Sequence, residues 1–543
     1  MRPSSHQLIA VCVFVASTSQ STVQSQEASI DQSATAKQIQ VARGFVFDDR
    51  NGNGKRESDE PGIQDIRVSN GTSIVKTDQE GQYQLPVDDD SIIFIIKPRD
   101  WATPLNRNQL PQFYYIHKPR GSPKNFRFAG VAPTGPLPKS IDFPLLRHVE
   151  PDKFKAIMFG DPQPKNVAEV EYMSHDVIEQ IISEQAHGAA FGVTLGDIVF
   201  DDLSVMEPHN QSVALIGIPW YNIIGNHDLN LDAKNDDQSD ETFERIYGPS
   251  YYSFDYGPTH FMVLDDVHWH GPEGDKKGGY HGGFSDDQLE FIENDLALIP
   301  KDQLVVLMMH IPLDGVRDRE KLYRMIEQRP ATVSLSAHTH YMEHRFLGEE
   351  NGWKGPKKHH HIVNVTVCGS WWRGRKDERG IPHATMSDGG PNGYSIMEFD
   401  GQNYKLEMRG ANRPADYQMS LYAPERVLQK QLSNTDLIAN IFNGSAKTDV
   451  SFRVGNQSGD FGAWHPMKVS RMADPAFVAE KKREDEVPNR PWTSLPGPHT
   501  TPHIWTAKLP SDIGLGTQII EVRATNVIGK DASGRRIIHI KAK

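Results

Sequence analysis

The apolar positions of the chain change period twice. Between residues 41 and 147 they come in short stretches such as Ile92-Ile93-Phe94-Ile95-Ile96, set between turn signals at Asn70-Gly71 and Glu80-Gly81. No long helical period appears there, so the segment reads as all-β. At Lys155 the pattern becomes buried strands alternating with amphipathic helices, and it continues to about residue 346. Val167, Val170, Met173, Val177, Ile178, Ile181 and Ile182 fall at helical spacing. Ser285-Asp286-Asp287-Gln288 is a capping box opening a second helix, with Leu289, Ile292 and Leu296 on one face. From about residue 362 short strands return, ending with 517–522 and 536–540. The charge- and proline-rich stretch 475–503 reads as a long loop.

The start of the chain follows a different pattern. Arg2 precedes the apolar run 8–16, and small residues follow (Ser17, Thr18, Ser19, Ser25), which predicts a secretory signal over 1–25 and export to a periplasm or medium of bacterial type. A polar leader, 26–40, comes next. The partition then predicted is an N-terminal β-sandwich domain at 41–147, an α/β domain at 150–410 and a C-terminal β domain at 411–543 that could begin as early as 362.

Composition narrows the function classes. The 543 residues carry 58 Lys and Arg against 71 Asp and Glu, so the net charge is 58 − 71 = −13. That balance argues against a nucleic-acid coat protein, which needs a basic patch. No apolar run approaches the roughly 18 residues of a spanning helix, so no transmembrane anchor is expected. Once the signal with Cys12 is removed, Cys368 is alone, and stability must come from core burial and metals rather than disulfides.

The candidate chemistry sits in the central block, where apolar runs end one after another in metal-ligand residues. Residues 156–159 lead to Gly160-Asp161-Pro162-Gln163, 191–195 to Gly196-Asp197, and 218–224 to Gly225-Asn226-His227-Asp228. Residues 304–309 lead to His310, and 332–335 to Ala337-His338-Thr339-His340. Ligands gather at the carboxyl ends of strands in open α/β sheets, and glycine before the first three sites lets the backbone turn sharply. Asp161, Asp197, Asn226, His310, His338 and His340 would therefore converge. Oxygen donors mixed with imidazoles suit manganese, iron or zinc, and six ligands exceed the four of one structural zinc. They fit two ions bridged by a carboxylate, for which Asp197 is the best placed.

The order of these motifs over 161–340 resembles the calcineurin-like metallophosphoesterases. The resemblance implies a four-layer α/β sandwich and metal-dependent hydrolysis of a phosphate ester. By the family pattern one metal takes Asp161, Asp197 and His340, and the other takes Asp197, Asn226, His310 and His338. His227 would act beside the leaving oxygen without ligating a metal, so the catalytic pair is His227 and Asp197. The chain departs from the family's Asp-x-His at Asp161-Pro162-Gln163: either Gln163 ligates through its amide oxygen or the first metal is held more loosely. The Asp-Pro-Gln form with β-domains on both sides resembles an exported bacterial subgroup.

Other motifs fall outside this constellation. Residues 369–394 contain Trp371-Trp372-Arg373 and a Gly-rich turn through Asn392. They resemble a segment of the same subgroup and could form a substrate wall from Trp371, Arg373 and Asn392, or a plug between domains. His268, His270 and His281 lie in or beside a Gly-rich loop (271–283) and read as a surface loop, with entry into the pocket as the alternative. Lys357-Lys358-His359-His360-His361 reads as a solvated run before a strand at 362–367, and Cys368 as a small buried side chain. Asp49, Asn51, Asn53 and Glu60, with Gly54 at the sharp turn and Lys55 at the position that uses a backbone carbonyl, fit a calcium loop. The segment resembles calcium-holding β-sandwich modules of bacterial surface proteins; the alternative is an Asx/Gly turn satisfied by its own backbone.

The expectation is thus an exported two-metal phosphoesterase, of mono- or diester type, acting on a small-molecule, glycan or lipid phosphate ester. The alternative is a surface-binding protein whose active site has decayed. Oligomeric state leaves no signal in the sequence.

Overall fold

A computed structural model describes residues 40–542 apart from Asp275. The signal expected at 1–25 and the leader up to residue 39 lie outside the described residues, and Gln40 already begins the first strand.

Two sheets form the centre. The first runs Trp220–Ile223, Phe191–Leu195, Lys153–Phe159, Gly393–Asp400 and Asn403–Gly410, its first three strands parallel. The second runs Tyr252–Tyr256, Thr259–Val263, Leu304–Met308, Thr332–Ser336, His359–Val363 and Glu343–Leu347, with four parallel strands in its middle. Parallel strands of this kind are buried on both faces. Along Lys153–Phe159 the period-2 alternation sends Phe154, Ala156 and Met158 into the core between the sheets, and Ile157 and Phe159 toward the helices around Val170, Met173 and Val177. Aromatic rings close the inter-sheet space: Phe191 lies 5.3 Å from Phe261 and 5.5 Å from Phe254, and Phe399 lies 5.2 Å from Phe261. The helices Asp286–Ala297 and Arg319–Ile326 cover the outside of the second sheet through Leu289, Ile292, Leu322 and Ile326. The result is helix, sheet, sheet, helix.

Both flanks are β-rich. The N-terminal flank has two four-stranded sheets, and the C-terminal flank has one of four strands and one of five. Buried ion pairs tie the first flank to the centre. Arg67 reaches Asp255 (2.6 Å) and Asp295 (2.7 Å), Lys97 reaches Glu150 (2.6 Å), and Lys118 reaches Glu241 (2.5 Å).

The structure corrects four sequence readings. The segment 167–183 is helical, but Ser174–Ile178 forms a π-type turn, which brings the buried Asp176 to Arg379 and Asn392. The Ser285 cap is half a box: Ser285 accepts the Gln288 amide, while the Gln288 side chain bonds to the Asp265 backbone. The stretch 475–503 begins with a helix, Pro475–Asp485, because Asp474 caps it and Pro475 suits the first helical turn. In the run before residue 362 Lys357 and Lys358 are exposed as expected, but the three histidines are not solvated. His359–Val363 is a buried interior strand, because serines and a tyrosine satisfy its imidazoles. Ser334 Oγ meets His359 Nε2 (2.8 Å) and His361 Nδ1 (2.7 Å); Tyr404 Oη meets His360 Nδ1 (2.6 Å); His344 Nδ1 meets His360 Nε2 (2.9 Å).

Burial pushes these rings away from their charged form: His359 titrates at about 3 and His344 at about 4, while His360 and His361 also lie well below the usual histidine value. An unfolded histidine titrates near 6.5, so between about 6.5 and 3–4 the unfolded chain binds more protons than the native one. The stability from these groups is complete above about 6.5 and is lost as pH falls through that window. Thermal unfolding should move to lower temperature from pH 7 to pH 4.5. His359→Gln should flatten that dependence by up to about 1.4 kcal/mol per pH unit. An unchanged slope in the variant would remove this array as its source.

Candidate metal centre

Five strand ends deliver the predicted residues to one place, and the backbone is forced there. Asp161, Gln163, Asp197, His338 and His340 have φ of 37°, 44°, 49°, 68° and 56°. Non-glycine residues seldom adopt this left-handed region, and each costs about 1–3 kcal/mol unless its surroundings impose it. Two glycines show what imposes it. A Cβ on Gly196 would lie 2.4 Å from the His310 ring, and one on Gly225 would lie 2.1 Å from the Asp197 amide nitrogen. The loops are packed too closely for any side chain there.

Acceptor atoms crowd the centre. His310 donates Nδ1–H to the Leu195 carbonyl (2.9 Å), which aims Nε2 into the centre. That nitrogen faces Asn226 Oδ1 (3.1 Å), His338 Nδ1 (3.1 Å) and Asp197 Oδ1 (3.2 Å). His340 donates Nδ1–H to the Gly369 carbonyl (2.7 Å), so its Nε2 lone pair points toward Asp161 Oδ1 at 3.6 Å. Asp161 Oδ1 is buried with no hydrogen-bond partner among the described residues. Buried acceptors left unsatisfied in this way need a cation.

The electrostatics point the same way. Burial raises Asp161 to about 8, with the Asp197 charge adding to it and His310 offsetting only part. Burial opposes a charge on His310, but the Asp197 carboxylate beside it lifts the ring to about 10; Asp197, despite its own burial, is held below the usual carboxylate range by that ring. Burial lowers His338 to about 3 and His340 to about 4. Asp161 and His310 are therefore both driven to hold a proton near neutral pH, the response of a pocket short of positive charge. The residues fit two divalent ions, and Asp197, His310 and His338 already bring one ligand atom each within 4.8 Å of one another.

Gln163 stands where the family pattern has histidine. Its Nε2 donates to Asp197 Oδ2 (2.8 Å) and its Oε1 lies 3.9 Å from Cys368 Sγ, a buried thiol whose pKa burial raises. His227 keeps its ring outside the acceptor cluster. Its Nδ1 meets Asp201 Oδ1 at 2.6 Å and Phe200 stacks on it at 4.3 Å; burial opposes its charge, but the Asp201 bond and Asp197 raise its pKa.

Several supporting residues escaped the sequence reading. Asp201 lies four positions after Asp197, a spacing that could have flagged it. Asp228 accepts the amides of Ile198, Val199 and Gly225, joining two of the ligand loops. Asp266 accepts the amides of His310 and Ile311, and the adjacent acidic pair Asp265-Asp266 after a strand was its only trace. Tyr280 sits edge-on to His338 with ring centroids 6.1 Å apart.

The wall residues separate into two roles. Trp371 stacks on His340 at 4.0 Å, and the Arg373 guanidinium lies 5.0 Å from the Trp371 ring, with no carboxylate partner among the described residues. Asn392 is buried and spends its amide nitrogen on Asp176 and the Val367 carbonyl. Far from the centre, Asp49 accepts the amides of Gly52, Asn53 and Gly54, Glu60 those of Arg50 and Glu57, and Asn51 and Asn53 those of Asn53 and Lys55.

Family models match three successive parts of the chain: the N terminal of calcineurin-like phosphoesterase over residues 50–132, calcineurin-like phosphoesterase over 155–342, and its C terminal over 360–531. No curated protein matches. Among solved structures, the chain is similar to a dimetal phosphatase from Danio rerio, at 13% identity and TM-score 0.32, over 47% of this chain and 96% of that one. It is also similar to the purple acid phosphatase PPD1 from yellow lupin (Lupinus luteus), at 12% identity and TM-score 0.34, over 69% of this chain and 67% of that one. The chain belongs to the calcineurin-like phosphoesterases, a family of dimetal hydrolases, and carries that family's N-terminal and C-terminal flanking domains.

Proposed function

We propose that the chain is an exported phosphoesterase in which Asp161, Gln163, Asp197 and His340 hold one divalent ion and Asp197, Asn226, His310 and His338 hold the other. The observation that carries this reading is the convergence of Asn226 Oδ1, Asp197 Oδ1 and His338 Nδ1 on His310 Nε2, beside an Asp161 Oδ1 with no hydrogen-bond partner among the described residues. Manganese, iron or zinc suits the mixed oxygen and nitrogen donors. Two such ions would polarise the phosphoryl oxygens and supply a water acidic enough to ionise near neutral pH.

The chain's own residues do the rest. Asp228 and Asp266 hold the ligand loops in register, so the donors are placed before substrate arrives. Asp201 fixes the His227 ring, whose free nitrogen can pass a proton to the leaving oxygen. Trp371 and Arg373 form the wall: the ring keeps His340 in place and the guanidinium offers a bidentate contact to an anionic part of the substrate. Asn392 braces that wall from behind. Gln163 ligates by turning its amide oxygen to the ion and giving up the bond from its Nε2 to Asp197. Phosphodiester and phosphomonoester substrates both suit these groups.

Export follows from the pattern of 1–25, and we include in the proposal a calcium ion in the loop of Asp49, Asn51, Asn53, Lys55 and Glu60. Millimolar calcium should raise the thermal midpoint of the whole chain, and Asp49→Ala should remove that response; a wild-type midpoint indifferent to calcium would dismiss the ion. Asp197→Ala or His310→Ala should abolish hydrolysis of both p-nitrophenyl phosphate and its bis-ester while the circular dichroism stays native; turnover in either folded variant would refute the ligand assignment. His227→Ala should lower kcat by roughly 10²–10⁴ with metal content unchanged, and loss of an ion in that variant would contradict its role.

A further inference from the structure

A second group of imidazoles lies outside the centre and plays no part in the proposed reaction. The hairpin Val267–His270/Gly279–Gly282 pairs His268 directly with His281, and alternation along the strand puts His270 on the same face. Ring centroids are 5.2 Å apart for His268 and His270, 4.9 Å for His268 and His281, and 4.5 Å for His270 and His281.

Two details go beyond proximity. His268 Nδ1 lies 2.9 Å from Asp236 Oδ2, an arrangement that fixes the ring and leaves Nε2 as a lone pair. A carboxylate behind the second ring nitrogen is the usual support of a metal-bound histidine. His270 Nε2 and His281 Nδ1 also face each other at 2.5 Å, where only one proton fits between two nitrogens. Asp236, Asp318 and Arg317 are charged groups that act on the cluster; burial, Arg317 and the neighbouring rings keep His281 below its usual pKa.

We propose that this hairpin holds a third divalent transition ion through His268, His270 and His281. Three neutral imidazoles form a borderline nitrogen set suited to zinc, cobalt, nickel or copper. Metal–nitrogen bonds of about 2.0–2.1 Å in a tetrahedral site require His270 and His281 to part slightly and His268 to turn its Nε2 inward about the Asp236 contact. All three rings are at least partly exposed and have room to do so. The ion would staple the two strands together and so fix Tyr280 against His338. This site does not rest on the phosphoesterase reading.

Equilibrium dialysis of the full chain against zinc or cobalt, followed by elemental analysis, tests it. The wild type should bind one equivalent more than His270→Ala/His281→Ala, whatever the occupancy of the central site. His268→Asn should lose the same equivalent, and neither substitution should change the circular dichroism of the metal-free chain. Equal binding by the wild type and either folded variant would overturn the proposal.

Discussion

Everything in this fold serves one unfavourable contact. Around His310 Nε2, a carboxylate oxygen, an amide oxygen and a second ring nitrogen approach to 3.1–3.2 Å, and that nitrogen has at most one hydrogen to share among them. One proton cannot serve three such groups in a dry interior, whereas a cation can. Asp197 and His338, with Asp161, Gln163 and His340 beside them, also hold a left-handed backbone conformation. An arrangement of this kind survives only where the scaffold leaves no alternative.

The scaffold does so in layers. The two sheets are locked face to face by the Phe191, Phe254, Phe261 and Phe399 rings, so the strand ends cannot drift. Asp228 and Asp266 then convert fixed strands into fixed loops by gathering backbone amides. The flanks act one step further out. Arg67, Lys97 and Lys118 carry the N-terminal sheets into buried carboxylates of the centre; removing one partner of such a pair strands the other at a cost of about 3–5 kcal/mol. On the other side, residues of the C-terminal flank hold the segment that bears Trp371 and Arg373. Glu484 accepts the Arg375 amide (2.7 Å), while His503 and Asn440 grip Asp388, which also accepts the Met342 amide just past His340. The C-terminal β-domain thereby supports the wall of the site.

What could be read from the sequence follows from which forces are local. The strand ends were legible because a buried parallel strand is a short apolar run, and its abrupt end in Gly-Asp or Gly-Asn-His is a local signal. The helix Asp286–Ala297 was legible for the same reason. The strand His359–Val363 was not: three consecutive histidines look polar, and what buries them is Ser334 on the adjoining strand and Tyr404 about 40 residues away in sequence. The helix Pro475–Asp485 was hidden by its charges, although Asp474-Pro475 marked its start. Asp201 was visible only as a spacing, and its role depends on the orientation of His227, which no local pattern encodes. The hairpin histidines show the same limit: their identities are plain in the sequence, and their convergence comes from a cross-strand register.

The central claim is that Asp197 joins two ions at these strand ends. Electron paramagnetic resonance of the metal-free chain reloaded with two equivalents of manganese addresses it most directly. The account predicts an exchange-coupled spectrum from two bridged ions, which collapses to uncoupled manganese in Asp197→Ala. An isolated six-line spectrum from the wild type at full loading would contradict it.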